Sequence, residues 1–475
     1  MANRRRRERG AMLIAFSILL ILVLGFIGLA LDVGQVIGRK TELQNLADNA
    51  ALAAAAELVG TPEGLLAAVD KAKQSAADKS AWRRRMQGAI LSDASIRFAS
   101  APGAPASEWH AAGAVPDAAT ALFVRVDTQA NAPSLGRVAT AFLGALSPAL
   151  RTLDTGGRAV AGRTSLNLTP LAVCALSASA ASPRTNAALL PAVELLEYGF
   201  RRGVAYNLLK LNPHGPAAEH FVLNPLGQPG VVGSSLQVGE SSVLPFVCSG
   251  TVLYPRIGSA QVHVHRPFPA ALWPAFNARF NLHAGSGCHP VTAPPDTNIR
   301  AYPNTATNWW MTNTPDAPSA LSTGNPLLSV ADPESNATPP AVGSYGPLWS
   351  FGKAVKYSSV KPAGGYVPFA TSDWARLYPA SPAAPAAKPG YPATPPYQTL
   401  AYQTAPTGNT GVAQRRLLHI ALLACPVPAG SDVLAQVRGI GRFFMTAPAS
   451  NGVLSAEFDG LVAEGALAGP AELLQ

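Results

Sequence analysis

Histidine and cysteine side chains that could bind a metal ion are concentrated between residues 263 and 289. His263 and His265 alternate along a predicted strand, so both imidazoles would lie on the same face of it. His283, Cys288 and His289 follow, and imidazole and thiolate groups are ligands that Zn²⁺ prefers. The spacing, however, matches no strong zinc pattern, and Cys288 is needed to give an even number of cysteines for disulfides. We therefore predict hydrogen-bonded or surface histidines and no metal site.

Motifs typical of enzymes are absent from the sequence. Glu194 and Glu197 lie one turn apart on a predicted helix, and a solvated helix face is a better interpretation than an acid–base pair. The segment GPLWSFGK (residues 346–353) has one residue too many between its glycines for a phosphate loop, and Ala354 replaces the Ser or Thr that would hold Mg²⁺. The sequence contains no Gly-x-Ser-x-Gly and no His-Glu-x-x-His. We expect a protein without catalytic residues or a cofactor.

A second candidate metal motif follows the apolar segment LAVCAL. A von Willebrand A-type metal site begins with an apolar strand that runs into Asp-x-Ser-x-Ser. Here Ser177 and Ser179 occupy the serine positions, but Ala175 stands at the position of the aspartate. Without that carboxylate the motif lacks its anchor for Mg²⁺. Coincidence is the favoured interpretation, and a metal-free domain of this type is the alternative for the distal part of the chain.

The cysteines predict a structural role. Four cysteines allow three pairings, so the sequence does not identify the pairs. Disulfides persist outside the cytoplasm, and we expect two of them because the bulk of the chain is predicted to be exported. The candidate disulfide residues are Cys174, Cys248, Cys288 and Cys425.

An uncharged apolar run at residues 11–31 precedes all of these groups. As a helix it would be about 31 Å long, which is close to the hydrocarbon thickness of a bilayer and longer than the apolar region of a secretory signal. No Ala-x-Ala cleavage site follows it. We predict an uncleaved transmembrane helix over residues 11–32, with signal cleavage and prepilin-type processing as alternatives. Its anchor residues are Ala11, Gly25, Gly28, Leu31 and Asp32.

The charges on either side of this run predict its orientation. Five arginines and Glu8 give residues 1–10 a net charge of +4, whereas acidic residues offset the basic ones just after the run. Because an excess of arginine stays in the cytoplasm, these residues form a predicted cytoplasmic tail and the rest of the chain lies outside. The topology residues are Arg4, Arg5, Arg6, Arg7 and Arg9.

The remaining charge argues against nucleic acid as a partner. The whole chain carries +9, and the tail accounts for +4 of it, so +5 is spread over the other residues. That distribution is too diffuse for a nucleic-acid-binding surface. The short run at residues 83–85 (Arg-Arg-Arg) is more typical of a solvated helix face than of a binding patch.

The apolar helix is predicted to continue beyond the membrane as far as Gly60. Small and apolar residues recur there at helical spacing, and alanine has the highest helix propensity. Gly34-x-x-x-Gly38 would allow another helix to approach closely, and packing of the alanine-rich stretch on its own domain is an equal alternative. The candidate helix-packing residues are Gly34, Gly38, Leu43, Leu46, Ala47 and Ala50. Thr61 then caps a second helix, which begins at Pro62 and runs to about Ala89.

The rest of the pattern predicts an α+β fold. The segments ALFVRVDT and GGRAVAGR are predicted strands and GRVATAFLGAL a short helix, which completes a helical stalk and small α+β module over residues 33–165. Residues 166–475 form a larger mixed α/β domain with long proline-rich loops around residues 290–412. Its predicted strands are LAVCAL, HFVLNP, SAQVHVHRP, RRLLHIALLAC, VRGIGRFFMTAP and LSAEFDGLV, and residues 185–213 are predicted to contain one or two helices.

The first 55 or so residues resemble the TadE/TadG-like proteins of the tight-adherence (Tad, or Flp) pilus system. The resemblance rests on Arg9-Gly10-Ala11, the apolar span, LALDVG at residues 29–34 and LQNLADNAALAAA at residues 43–55. The small module with VRVDT and GRAVAG looks like the region that follows in this family. The distal part looks like a TadG-type outer domain. The clear resemblance covers about a third of the chain.

The resemblance implies an accessory protein of the bacterial inner membrane. It would have a single membrane pass and a periplasmic domain, and it would help to assemble, anchor or stabilise the Flp pilus and so serve adhesion. The implied partners are inner-membrane lipid and other proteins of the Tad machinery, which would be contacted through helix packing and the periplasmic domain. No nucleic acid and no cofactor are implied.

Two departures from the family limit what can be carried over. Pilin-like members are cut after a glycine and have a glutamate five residues into the mature chain, but Ala15 is the fifth residue after Gly10. Other TadG-like proteins carry a complete von Willebrand A-type metal motif, so metal-dependent adhesion is not implied here. The alternatives are a minor pilin that enters the fibre, or an unrelated membrane-anchored periplasmic enzyme or metal-binding protein.

Overall fold

The computed structural model divides the chain into two compact units. It describes all residues except 1, 82–90, 131–134, 186–189, 215–216, 227–237, 258–260, 303–347, 379–393, 451 and 475. Unit 1 comprises Met1–Thr164 and Gly469–Gln475, and unit 2 comprises Ser165–Ala468. The chain leaves unit 1 after Thr164 and returns to it at Gly469. Unit 2 is therefore an insertion within unit 1.

Two helices open unit 1. Helix α1 spans Ala2–Ala55 without interruption, and α2 spans Pro62–Ala81. The chain between them turns at Gly60, whose φ is 78° and suits glycine. The hydroxyl of Thr61 accepts a hydrogen bond from the Gly64 N–H at 3.1 Å, so Thr61 caps α2 as expected. The predicted end of α2 near Ala89 and the three arginines at residues 83–85 lie outside the described residues.

An antiparallel sheet forms the other half of unit 1. Its strands are β1 (Ile96–Ala99), β2 (Phe123–Asp127), β5 (Arg158–Arg163) and β16 (Ala471–Leu474), in the order β1-β2-β5-β16. A separate hairpin joins β3 (Arg137–Ala139) to β4 (Thr152–Asp154) and carries the short helix α3 (Phe142–Leu146) between its strands. The last strand of the chain thus completes a sheet that the first 163 residues began.

The core of unit 1 lies between this sheet and the second half of α1. Alanine and leucine side chains of α1 and α2 pack on one face of the sheet, and small side chains allow the backbones to come close. A Cβ at Gly157 would lie 2.4 Å from the backbone of Leu43, so only glycine fits there. The fully buried members include Leu43, Ala47, Ala50, Ala54, Ala68, Phe98, Val124, Val126 and Ala161.

Unit 2 is built on a small closed barrel. Its main sheet has the strand order β10-β15-β14-β12-β11-β6-β13, and β14 also pairs with β13, which closes a ring of five strands. Only the β6–β13 pairing within the ring is parallel. The strands are β6 (Leu171–Cys174), β10 (Ala205–Asn207), β11 (His220–Leu223), β12 (Gln261–His265), β13 (Leu417–Leu423), β14 (Asp432–Met445) and β15 (Ser455–Leu461).

Side chains on the two faces of the ring form separate cores, because successive residues of a strand point to opposite faces. Residues from all five strands fill the inside, including Ala172, Phe221, Val264, Leu423 and Val437. The outer face is covered by an aromatic core that includes Phe200, Trp349, Trp374 and Phe443. Helix α4 (Glu240–Ser249), a 3₁₀ helix at Ala270–Phe280 and helix α5 (Trp374–Leu377) also belong to this unit.

The helices predicted near residues 185–213 are wrong. Strands β7 (Ser182–Arg184), β8 (Glu194–Glu197) and β9 (Phe200–Arg201) form a three-stranded sheet there. The reason is local, since Tyr198 and Gly199 both have positive φ and reverse the chain between β8 and β9. The apolar spacing that predicted a helix reflects burial on both sides of short strands.

Glu194 and Glu197 are likewise not a solvated helix face. Both are buried and both are paired with arginines. Glu194 accepts hydrogen bonds from Arg184 at 2.7 Å and from Arg201 at 2.9 Å, and Glu197 accepts two from Arg202. Buried charges are tolerated when they are paired in this way.

The fold class is α+β, as predicted. A long apolar helix is followed by a strand-rich region with a small barrel and mixed helix and strand content. The barrel is almost wholly antiparallel, which differs from the parallel sheet of layered α/β domains. Ser177 and Ser179 make local bonds, in which the Ser177 hydroxyl accepts the Ser179 N–H at 3.2 Å. Of the predicted proline-rich loops around residues 290–412, residues 303–347 and 379–393 lie outside the described residues.

Candidate functional site

The first half of α1 could span a membrane. The apolar helix from Met12 has every side chain of residues 12–27 exposed, and Gly25 has no neighbour within 4 Å of a built Cβ. Exposed leucines, isoleucines and phenylalanines in such number are costly in water and favourable in lipid. The side chains of residues 1–11 lie outside the description, and with them Ala11 and the five arginines. One helix long and apolar enough to cross a bilayer is thus present among the described residues.

Asp32, immediately after the apolar run, binds the start of α3. Its side chain is 2% exposed. The carboxylate accepts hydrogen bonds from three consecutive backbone N–H groups, those of Ala141 at 3.2 Å, Phe142 at 2.8 Å and Leu143 at 2.7 Å. These N–H groups have no partner within α3, because the first turn of any helix leaves its donors free. Asp32 therefore joins α1 to the β3–β4 hairpin.

Gly28 lies one helical turn before Asp32 and receives the ring of Phe142. A Cβ at Gly28 would lie 2.1 Å from Phe142 Cδ1, so any side chain there would displace the ring. Gly28 is buried although it belongs to the apolar run. Gly28 and Asp32 therefore both hold α3 against α1. Gly28 leaves room for the ring of Phe142, and the Asp32 carboxylate accepts hydrogen bonds from the backbone of α3.

A second attachment lies two to three turns further along α1. The Gln44 side chain pairs with Arg158 of β5 in both directions, since it accepts the Arg158 N–H at 3.2 Å and donates to the Arg158 carbonyl at 2.8 Å. The Arg39 guanidinium donates to the carbonyl of Leu135 at 3.0 Å. These bonds fix the rotation of α1 about its axis, and the packing of Leu43 on Gly157 fixes its distance from the sheet.

The candidate helix-packing residues separate into two groups. Leu43, Leu46, Ala47 and Ala50 are buried in the core of unit 1, where they pack on their own domain. Gly34 and Gly38 are exposed, and a Cβ at either would meet nothing within 4 Å. Leu31 and Ile37 are each 57% exposed on the same stretch. Between the apolar run and the core of unit 1, the stretch of α1 with an uncovered surface is therefore residues 33–38.

The four cysteines form two pairs at disulfide distance, both within unit 2. Cys174 pairs with Cys425, with the Cα atoms 5.6 Å apart, and Cys248 pairs with Cys288, with the Cα atoms 5.5 Å apart. The first pair joins the ends of β6 and β13, the parallel neighbours of the barrel. The second joins α4 to the segment after the 3₁₀ helix.

The histidines are not gathered into a metal site in the described part of the chain. His265 Nδ1 lies 2.8 Å from a carboxylate oxygen of Asp432 on the neighbouring strand. Among the described residues, one set of three His, Cys, Asp or Glu ligand atoms lies close together, and it consists of Cys174, Glu219 and Cys425. Both thiols of that set are in the disulfide, so they are not available as ligands.

The segment GPLWSFGK (residues 346–353) presents backbone N–H groups to a carboxyl group, and that group belongs to the chain itself. Ser350, Phe351 and Gly352 donate to the carboxylate of Glu457 on β15 at 2.5, 3.0 and 2.8 Å. Burial raises the pKa of the Glu457 carboxyl to about 8, although the three donors act in the opposite direction. This group fixes the segment to the barrel.

Two of these features were not predicted from the sequence. Gly28 and Asp32 were predicted as parts of an anchor, but Phe142 and Leu143 were not identified as the residues that they hold. The signal in the sequence is a charge-free stretch, TAFLGALSPAL at residues 140–150, too apolar for an ordinary surface loop. The contact of Gln44 with β5 was not predicted either, because it depends on the register of β5 against α1.

Comparison with known proteins gives one match. No curated protein and no solved structure is significantly similar to the chain. A family model described as Flp pilus-assembly TadE/G-like matches residues 10–57. The matched stretch begins at the apolar run, contains Gly28, Asp32, Gly34, Gly38 and Gln44, and ends two residues after α1. Residues 10–57 of the chain are thus similar to the TadE/G-like Flp pilus-assembly family.

Proposed function

We propose that this chain is an accessory protein of the Flp (Tad) pilus system, anchored in the inner membrane and facing the periplasm. It assembles, anchors or stabilises the pilus and is not an enzyme. The observation that carries the proposal is the coincidence of the family match with one continuous helix, which supplies both a span and the core of unit 1. A helix so used holds a folded module at a fixed height above the bilayer.

The charges and cysteines support the orientation. The arginine-rich start of the chain favours a cytoplasmic N-terminus. Both cysteine pairs lie after the span, on the side where disulfides persist if that orientation holds. The partners are lipid and other Tad proteins, and the exposed stretch around Gly34 and Gly38 is where a partner helix fits.

The alternative within the same system is a minor pilin, which would leave the membrane and enter the fibre. A single unbroken helix with an exposed first half suits packing in a fibre as well as in lipid. Ala15 in place of the glutamate of pilin-like members argues against the processing that this role requires.

The test combines deletion of the gene with the intact mass of the membrane-extracted protein, alkylated without reduction. We expect deletion to abolish Flp pili and surface adhesion, and the mass to correspond to an uncut chain with no alkylated cysteine. A chain that starts at Ala11 and co-purifies with sheared fibres would favour the minor pilin. Normal pili in the deletion strain would overturn the proposal. Joint replacement of His263, His265, His283 and His289 is the control for a metal-dependent role and should leave pili intact.

A further inference from the structure

The β3–β4 hairpin presents apolar side chains beside the end of the span. Residues 140–150 contain no charged residue, and Leu146 is 77% and Phe142 46% exposed. Isolated exposed apolar residues are ordinary, but here they share one five-residue helix. The same helix is fixed to α1 by the hydrogen bonds to Asp32 and by the packing of the Phe142 ring on Gly28.

The height of this segment along α1 is set by those contacts. Gly28 lies three residues before the end of the apolar run at Leu31, which is about 4.5 Å inside it at 1.5 Å per residue. The ring of Phe142 rests on Gly28, so α3 lies level with the last turn of the run. In a bilayer crossed by α1 this is the boundary between hydrocarbon and headgroups.

We infer that α3 is a second membrane-contacting element, which inserts Phe142 and Leu146 into the interfacial layer of the bilayer beside α1. The occupant of this apolar face is lipid, because the face continues the exposed surface of the span itself. The inference rests on the proposed membrane anchoring. It explains why Asp32 is held by three N–H groups, since a carboxylate at the edge of the hydrocarbon must have its hydrogen-bonding capacity met by protein.

The surroundings of α3 fit an interfacial position. Arg151, which is exposed, packs its aliphatic stem over Gly144, whose built Cβ would lie 2.9 Å from Arg151 Cγ. An arginine beside an apolar insertion can place its stem on the apolar surface and its guanidinium among headgroup phosphates. An apolar surface beside a basic residue is a feature of elements that lie in the plane of the interface.

The test places an environment-sensitive fluorophore at Leu146 of the full chain. All four native cysteines are paired, so Leu146→Cys supplies the single reactive thiol. The protein is reconstituted into vesicles of phosphatidylethanolamine and phosphatidylglycerol, without nitroxide lipids or with lipids that carry a nitroxide either near the headgroup or near the end of an acyl chain. We expect a blue-shifted emission that the nitroxide lipids quench.

Two further positions distinguish the possible outcomes. Leu66→Cys, at a leucine of α2 that is 61% exposed, is the matched control and should report water. Ile21→Cys lies in the middle of the apolar run, where the nitroxide near the acyl-chain end quenches the fluorophore if the helix spans the bilayer. Quenching at Ile21 without quenching at Leu146 would overturn the inference alone, and so would a blue shift at Leu146 that nitroxide lipid does not reduce, since protein would then cover the face. No quenching at Ile21 would overturn the membrane anchor and the inference with it.

Discussion

Asp32 shows how one side chain can serve two environments. It stands at the end of an apolar run, where an unpaired carboxylate would be costly, and it is buried against three N–H donors that α3 would otherwise leave without partners. Asp32 thus supplies an acceptor for the free N–H groups of α3, and those N–H groups supply the hydrogen bonds that the buried carboxylate requires. The aspartate of the Asp-x-Gly segment in the TadE/G-like stretch is therefore explained in this chain by intramolecular hydrogen bonds.

Asp32→Ala is predicted to release α3 from α1. The three N–H groups lose a charged acceptor, which costs on the order of 2–4 kcal/mol. Hydrogen exchange of the backbone amides of residues 141–143, measured in the full chain in vesicles, should become at least about tenfold faster, because 1.4 kcal/mol corresponds to a factor of ten.

Asp154→Ala is the matched control for this change. Asp154 lies on the same hairpin and makes an exposed ion pair with Arg137, and such pairs contribute little. Equal exchange in Asp32→Ala and wild type would show that the carboxylate does not hold α3.

Glu457 predicts a pH dependence of stability in unit 2. Its pKa is raised to about 8 in the folded chain by burial, from an ordinary value of 4.5. The folded state therefore binds the proton more tightly than the unfolded state, and the stability that this contributes is present below pH 4.5 and is lost as the pH rises toward 8. The effect is on the order of a few kcal/mol.

Glu457→Gln should remove this part of the pH dependence. In chemical denaturation followed between pH 5.5 and pH 9, wild type should lose stability as the pH rises, and the variant should change less. The exposed Glu240 in the same unit supplies the matched Glu→Gln control, which should follow wild type. A wild-type chain whose stability rises over this range would contradict the prediction.

The helices and strands of this chain differ in how well the sequence predicts them. The long helix was predictable because its apolar run and its alanine-rich continuation both have helical spacing with no breaker before Gly60. Strand β2 alternates clearly, and β13 is apolar except at His419. The strands at residues 194–201 were predicted as helix from their apolar spacing. Only the pairing of Glu194 and Glu197 with arginines shows why both glutamates are buried. The role of α3 could not be predicted, since it depends on a bond between residues 109 to 111 positions apart.

The open stretch of α1 between Gly34 and Gly38 carries a prediction at the same scale. Gly34→Leu with Gly38→Leu fills a surface on which nothing in the described chain rests, so the fold should be unchanged or slightly stabilised, because leucine is the better helix former. If a partner helix approaches here, the leucines would hold it away and reduce pilus assembly strongly. The measurements are the hydrogen exchange of unit 1 and a count of pili on complemented cells.

Gly113→Leu is the control for that double variant. Gly113 is also exposed, also has nothing within 4 Å of a built Cβ, and lies elsewhere in unit 1. It should leave assembly unchanged. Full assembly by the Gly34 and Gly38 double variant would exclude this face as a site of helix packing.

At the scale of the whole molecule, unit 2 interrupts the last hairpin of unit 1. Arg163 of β5 is the register partner of Ala471 of β16, so the chain leaves unit 1 and returns to it at neighbouring positions. The first and last residues of unit 2 are also adjacent to each other, because Leu166 forms a bridge with Ala468. Adjacent ends of this kind are what allow one domain to be inserted into another. Both disulfides lie within the inserted unit, and so do the hydrophobic cores inside and outside the barrel.

Excision of residues 165–468, with two glycines in their place, should therefore leave unit 1 folded. The join becomes a five-residue hairpin loop from Thr164 to Pro470, a length that antiparallel strands accept. Hydrogen exchange of α1, β2 and β5 in vesicles should match that of the full chain, and the amides of residues 141–143 should stay protected by Asp32. Under the proposed function, the shortened protein would be membrane-integrated but would not restore pili, because the periplasmic domain that meets the partners is gone. Loss of protection throughout unit 1 would mean that the two units fold together, and restored pili would mean that the TadE/G-like stretch and its small module are sufficient for the function.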